Sequence, residues 1–284
     1  MTATAPASVG LLGDTPSRDY SHKLRRFNAF AAPEIRRAIA SLDLKPGMSV
    51  LDVGCGTGET LQYFSQEVGP RGKAVGVDLA TAHVAAARAL VSSEVLVLEG
   101  DVLEAPLQPE SFDVVWCVNT INHFRDPARG AQVLTKLLRP GTGRIVLGQS
   151  SLVPDMYFAW DSRLERLVNE AVRQYYRDRY SLSEFDLTSI RAIVGLMRQA
   201  ELRDVTAQTF MIERLSPLAP TDEAYLEEAI FQDTWGERLR AYLPDTDFAA
   251  LTRLCDRQDP QFALRRPDFH FMQSFTVAIG RFQP

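Results

Sequence analysis

The stretch Val50-Leu51-Asp52-Val53-Gly54-Cys55-Gly56-Thr57-Gly58 constrains this chain more than any other. It follows a turn signal at Lys45-Pro46-Gly47, and its apolar run predicts a short buried strand that breaks straight into glycines. Glu59, Thr60, Leu61, Tyr63, Phe64 and Val68 then show helical spacing, so the local unit is strand, tight loop, helix. Glycines on alternate positions permit a sharp turn and let backbone N–H groups approach a ligand at the helix N-terminus. A nucleotide-like ligand is therefore the leading expectation.

The loop narrows the choice. A dinucleotide fingerprint ends G-x-G-x-x-G on glycine, and Glu59 stands there instead, where it would crowd and repel a pyrophosphate. Further apolar runs follow at 74–78, 95–101, 112–119 and 143–148, with helical patterns between them at 82–90 and 128–138, the latter stopped by Pro140-Gly141. Strands alternating with helices on short connections predict a parallel sheet whose ligands sit beyond the carboxyl ends of the strands. Asp78, Asp101 and Asn119 fall at such ends. Asp78 lies roughly 20 residues beyond the loop, the spacing at which an acid accepts both ribose hydroxyls, and its alternative reading is a cap of the next helix.

An acid two positions before the first glycine, followed by G-x-G-x-G, resembles the first motif of the class I S-adenosylmethionine-dependent methyltransferases, matched here over 51–58. The resemblance covers 48–150 closely and the later strands more loosely. It implies an α/β fold with a Rossmann-like seven-stranded, mostly parallel sheet, an antiparallel last strand and helical lid insertions. It also implies S-adenosyl-L-methionine as cofactor, S-adenosyl-L-homocysteine as product, and in-line methyl transfer to an O, N or C nucleophile of a small organic acceptor.

Carried over by position, the resemblance implies cofactor contacts from Asp52, Gly54, Cys55, Gly56, Gly58, Asp78, Leu79, His83, Asp101, Val102 and Asn119. Asp52 is expected near the ligand's ammonium and Asp101 near the adenine amino group. His83 departs from the family pattern by replacing the apolar residue that covers the adenine, so imidazole stacking is expected there. His123, in Asn119-Thr120-Ile121-Asn122-His123-Phe124, matches a run that faces the transferred methyl, and is expected to act as a general base or orienting group. Its alternative reading is a histidine that caps strand-end backbone groups. The leading helices are expected to fold over the pocket and bring in Tyr20, a second catalytic candidate, and His22.

With 284 residues and 45% hydrophobic content the chain can bury one substantial core and a helical appendage. A net charge of −5 without a Lys/Arg cluster argues against a nucleic-acid partner. The three cysteines form no C-x-x-C pair, and no metal-ligand spacing emerges, so neither a metal site nor a disulfide framework is expected. No stretch is long and apolar enough to span a bilayer, so no stable membrane association is expected and the chain reads as cytoplasmic. A homodimer stays open.

The chain divides into a flexible tail (1–17), an N-terminal helical lid (18–45), the cofactor-binding core (46–150), a helical insertion (151–187), a core helix and strand (188–216), a second helical insertion (217–269) and a final strand (270–284). Helical patterns are read at 156–179 and 188–201, and Glu59 as a solvated acid. Both insertions leave carboxyl ends of strands, so three additions are expected to converge over one crevice. The aromatics of the insertions are core by default, yet an insertion over a pocket lacks a sheet of its own to pack on. Trp160, Tyr176 and Trp235, with His22, are therefore expected to line an apolar substrate cavity. Rival readings are cofactor-assisted cyclisation or rearrangement, a non-catalytic binding subunit, and a nicotinamide enzyme, the last disfavoured by Glu59.

Overall fold

The computed structural model describes residues 10–183 and 189–283, the side chains of 189–191 excepted. Two helices lead, α1 (Ser21–Phe30) and α2 (Ala32–Ala40). The alternating body follows as β1 (Ser49–Val53), α3 (Glu59–Val68), β2 (Lys73–Asp78), α4 (Thr81–Leu90), β3 (Leu96–Glu99), β4 (Val114–Val118), α5 (Pro127–Thr135) and β5 (Arg144–Ser150). Then come β6 (Asp155–Tyr157), α6 (Ser162–Tyr180), α7 (Ser189–Gln199), β7 (Arg203–Leu215), α8 (Pro220–Leu226), α9 (Asp245–Cys255) and β8 (His270–Arg281).

Every residue of β1 is buried, as a strand covered on both faces requires. Val50 packs into the core cluster holding Ile35, Phe64 and Val68, whereas Leu51 and Val53 join Leu134, Leu138 and Met197 on the other face. The sheet runs β3-β2-β1-β4-β5-β8, with β7 on the far side of β8. β1 to β5 are mutually parallel, and β8 is antiparallel to both β5 and β7. Strand order reverses between β1 and β4, which opens a crevice above their carboxyl ends.

The sheet therefore has the expected parallel body and antiparallel last strand, and gains an eighth strand. Met156 and Tyr157, read from sequence as helical, belong to this short β6, which pairs with the early residues of β8. β5 and β6 share one neighbour and are separated at 151–154, where Pro154 has no N–H for the ladder. The first insertion's helix starts later, at Ser162, where the Asp161 carboxylate accepts the Arg163 N–H. Of the helical stripe expected over 188–201, Thr188 and the Ile190 side chain lie outside the described residues, while Ile193 and Met197 are buried against the sheet.

Both N-terminal helices are bolted to the body. Glu34 and Arg214, each mostly buried, form an ion pair that ties α2 to β7, and Arg214 also reaches the Phe30 carbonyl and Asp222. Asn28 Nδ2 donates to Glu59 Oε2 at 2.9 Å and Thr57 Oγ1 donates to the same oxygen at 2.6 Å, so Glu59 clamps α1 to the glycine loop. That corrects the reading of Glu59 as a solvated acid.

Candidate functional site

A cavity of about 510 Å³ opens at the β1/β4 crevice, between the glycine loop, the strand ends and the N-terminal segment. Gly54 and Gly56 line it with φ of +70° and +53°. A Cβ on Gly54 would lie 2.3 Å from Thr120 Oγ1, so only glycine fits where β1 turns beneath β4. Gly58 has a different task. It begins α3 at φ +92°, and a Cβ there would sit 2.9 Å from the Ala87 Cα, so it lets α3 approach α4 rather than facing the cavity.

The loop's N–H groups turn inward, contrary to the expectation that they meet a ligand. Those of Gly54 and Cys55 donate to the Val77 carbonyl, that of Gly56 to Asp78 Oδ2 at 2.9 Å, and that of Gly58 to the Cys55 carbonyl. A loop whose donors are spent in this way offers no cradle for a pyrophosphate.

What it presents instead is a buried acid. Asp52 is fully buried beside the cavity, and its Oδ2 has no hydrogen-bond partner. Burial, then the charges of Asp78 and Glu59, push its pKa up to about 8. An unpaired buried carboxyl of this kind calls for a cationic ligand group. Cys55 lies in the same wall, and burial followed by the Asp52 and Asp78 charges pushes its thiol well up, so it is an inert filler.

Asp78, at the end of β2, also lines the cavity. Its Oδ2 holds the Gly56 N–H, while its Oδ1 accepts from the Ala80 N–H at 2.9 Å and lies 3.2 Å from His83 Nδ1. The helix-cap reading of Asp78 is what these contacts show: the carboxylate fixes the loop and the start of α4, and keeps a lone pair on Oδ2. Asp101 Oδ1 accepts the Leu103 N–H, and Leu79 and Val102 supply apolar wall beside it. Asn119 closes the end of β4 in the left-handed region, φ +54°, held by its side-chain oxygen on the Ser150 N–H at 2.7 Å.

His83 is not a stacking platform. It is 1% exposed and lies outside the cavity, with Nδ1 toward Asp78, Nε2 accepting the Tyr20 N–H at 3.4 Å, and the Tyr20 ring edge-on at 4.3 Å. An imidazole has two polar nitrogens to satisfy, and burial between Asp78 and Tyr20 satisfies both. Tyr20 itself lines the cavity. Burial, then the charges of Asp14 and Asp78, push its phenol well up, so it is held as a hydrogen-bond donor.

The segment before α1, expected as part of a flexible tail, is a wall of the site from residue 10 onward. The Leu11 N–H donates to the His123 carbonyl at 2.7 Å, and Asp14 Oδ2 lies 3.0 Å from His123 Nδ1. Arg18 Nη1 bridges the Leu12 carbonyl and Asp14 Oδ1, and its Nη2 reaches the Tyr180 hydroxyl at 3.3 Å. Burial raises the Asp14 pKa, but the His123 hydrogen bond and the charges of His123 and Arg18 outweigh it and leave the group lowered. No hydrophobic periodicity marks this segment, so Asp14 and Arg18 were invisible to pattern reading; their only signal is charge inside a Gly/Thr/Pro-rich stretch.

The expected aromatic substrate wall is elsewhere. Trp160 stacks between Phe158 and Trp235, and Trp235 on Phe231, forming a separate aromatic core. Tyr176 packs against Tyr175 and Tyr180, and exposed His22 pairs with Glu228 at 3.1 Å. None of these four lines the cavity, and neither insertion contributes a lining residue. The insertions do have something to pack on: each other. The cavity's apolar wall comes instead from Leu24, Phe27 and Ile35 of the leading helices and Trp116, Val118 and Phe275 of the sheet. Among the described residues no cluster of three or more His, Cys, Asp or Glu could hold a metal ion, and no helix is long and apolar enough to cross a membrane.

Comparison with known proteins places this geometry. Residues 50–141 match the family described as "Methyltransferase domain". The chain is 40% identical over 124 residues to the nocamycin O-methyltransferase of Saccharothrix syringae, covering 42% of this chain and 43% of that protein. It is 24% identical over 180 residues to the demethylmenaquinone methyltransferase of Shouchella clausii, covering 60% of this chain and 76% of the relative. The chain thus spans less than half the length of the nocamycin enzyme. The YcgJ protein of Bacillus subtilis shares the fold, with a TM-score of 0.53 at 17% identity over 89% of this chain and 100% of that one.

Proposed function

We propose, from the premise that residues 50–141 form a methyltransferase domain of the class I S-adenosylmethionine-dependent family, that this protein methylates a small, largely apolar organic acceptor. The observation that carries the reading is Asp52, a buried acid lining the glycine-loop cavity whose Oδ2 has no hydrogen-bond partner. A sulfonium amino acid fits it: the ammonium would satisfy Asp52, a ribose hydroxyl would donate to the lone pair left on Asp78 Oδ2, and the adenine would lie by Leu79, Asp101 and Val102. A pyrophosphate dinucleotide fits neither the spent loop N–H groups nor the cluster of acids.

When bound, S-adenosylmethionine supplies an activated methyl, so the protein's main task is placement. Holding the attacking atom in line and close can account for roughly 7 to 11 kcal/mol of the barrier. Leu24, Phe27, Ile35, Trp116, Val118 and Phe275 offer the acceptor an apolar wall that excludes water. His123 receives the proton of a protic attacking atom, and Tyr20, held protonated, donates a hydrogen bond that orients it. The names of the two relatives, a nocamycin O-methyltransferase and a demethylmenaquinone methyltransferase, agree with a small organic substrate.

The test is product analysis. Purified protein, S-adenosylmethionine and a panel of hydroxylated or quinol-type compounds should give a product heavier by one methyl, with S-adenosylhomocysteine released. Consumption of the cofactor with an unmethylated, rearranged product would favour the cyclisation reading instead.

A further inference from the structure

The segment before α1 brings a carboxylate to the one imidazole on the cavity wall. Asp14 Oδ2 lies 3.0 Å from His123 Nδ1, and among the described residues no hydrogen bond engages Nε2. Three other contacts fix the carboxylate and the histidine relative to each other: Arg18 Nη1 on Asp14 Oδ1 at 3.1 Å, the same guanidinium on the Leu12 carbonyl, and the Leu11 N–H on the His123 carbonyl at 2.7 Å. The Arg18 guanidinium also lies 4.9 Å above the Tyr20 ring and 5.8 Å from the Tyr180 ring, so the turn that carries Asp14 is pinned from two sides.

We propose that Asp14 is a positioning residue for His123, and that residues 10–18 complete the catalytic site rather than merely cover it. This rests on the methyltransferase reading above. The chemistry follows from the two nitrogens of imidazole. A carboxylate accepting from Nδ1–H fixes the tautomer whose Nε2 holds a lone pair, and it favours the imidazolium that forms when that lone pair takes a proton. In the proposed reaction the acceptor's O–H or N–H bond breaks and its proton goes to Nε2, while the electron pair left behind would form the bond to the methyl carbon as the methyl–sulfur bond breaks, its pair staying on sulfur and S-adenosylhomocysteine leaving. Nothing is oxidised or reduced. After turnover the proton leaves Nε2 for solvent through the cavity mouth, where Arg125, Asp126 and Arg129 stand. Arg18 holds Asp14 as an anion by direct pairing, so the carboxylate orients the ring and does not take the proton itself.

The pair also narrows the acceptor. A residue fixed to accept a proton is useful only where the attacking atom carries one, which selects a hydroxyl, a phenol or a protonated amine over a thioether or a tertiary amine.

The experiment needs no acceptor. The chain has four histidines, so ring ¹⁵N resonances of His123 can be assigned by difference with His123→Gln in the full-length, histidine-labelled protein. In the unmodified protein, under conditions where the His123 ring is neutral, its signals should show Nδ1 protonated and Nε2 bare. Asp14→Asn should shift the equilibrium to the other tautomer, and Asp14→Glu should restore the original one. S-adenosylhomocysteine affinity, measured on the same samples, should change by less than about threefold, because none of the cofactor-facing acids is touched. An Asp14→Asn protein with unaltered His123 signals would overturn the proposal. So would loss of cofactor binding in Asp14→Asn and Asp14→Glu alike, which would make Asp14 a structural strut. Failure of the unmodified protein to bind S-adenosylhomocysteine would count against the methyltransferase reading, and the tautomer would still report on the pair. Once an acceptor is in hand, Asp14→Asn should lower kcat at least tenfold with KM for the cofactor unchanged.

Discussion

Asp52→Asn separates the stability of the ligand-free protein from its function. In the native state the Asp52 pKa is pushed up to about 8, whereas an unfolded aspartate titrates near 3.8. Between those values the native protein keeps a proton that the unfolded chain has lost, so stability falls as pH rises from about 4 to about 8 and levels off above. A gap of about 4 units at roughly 1.4 kcal/mol each sets a ceiling on the order of 5 kcal/mol. Relaxation and water entry should leave about 2 to 5 kcal/mol of it. An asparagine has no proton to lose. Urea unfolding at several pH values should therefore show Asp52→Asn gaining on the unmodified protein from about pH 5 to pH 8, while binding S-adenosylhomocysteine more weakly. The unmodified protein's affinity should rise with pH toward about 8, because below that Asp52 must lose a proton to bind the ligand's ammonium. Stability curves that run parallel with pH in the two proteins would refute the assignment of a protonated, ligand-seeking Asp52.

Three other substitutions divide the site from its surroundings. Gly54→Ala sets a Cβ 2.3 Å from Thr120 Oγ1 at φ +70°, so it should cost about 1 to 3 kcal/mol by thermal unfolding and lower cofactor affinity by calorimetry. Trp235→Ala removes a buried ring stacked on Trp160 and Phe231, and should cost about 3 to 5 kcal/mol of stability while cofactor affinity stays within about twofold. His123→Ala should lower turnover by about 10²- to 10⁴-fold on a protic acceptor, with the cofactor dissociation constant unchanged. Turnover unaltered across pH would remove His123 from the mechanism.

The parallel body was legible because its signal is local. Val50 to Gly58, the acids closing β2 and β3, and the helical stripes between them each announce their element within a few residues. Two kinds of feature were not. Tertiary partners that override composition cannot be read from a window: Glu59 looks like any solvated acid until Asn28 arrives from α1, and His83 looks like a platform until Tyr20 covers it. The N-terminal segment has turn-like composition, yet Asp14 and the Leu11 N–H fasten it to His123, more than a hundred residues away. The aromatics of the insertions misled for the opposite reason. Topology put them near the ligand face, but rings that can bury against one another do so before they line a wet cavity, as Trp160, Trp235 and Phe231 do.

A nucleoside amino acid is proposed to sit between the glycine loop and Asp52, with its ammonium against the Asp52 carboxyl. Calorimetric titration of the full chain with S-adenosylhomocysteine near pH 8, repeated on Asp52→Asn, tests that seat directly. Saturable one-to-one binding tighter than about 1 mM, weakened at least tenfold by the substitution, is the predicted result. An absence of binding at millimolar ligand, or equal affinity in the two proteins, would contradict it.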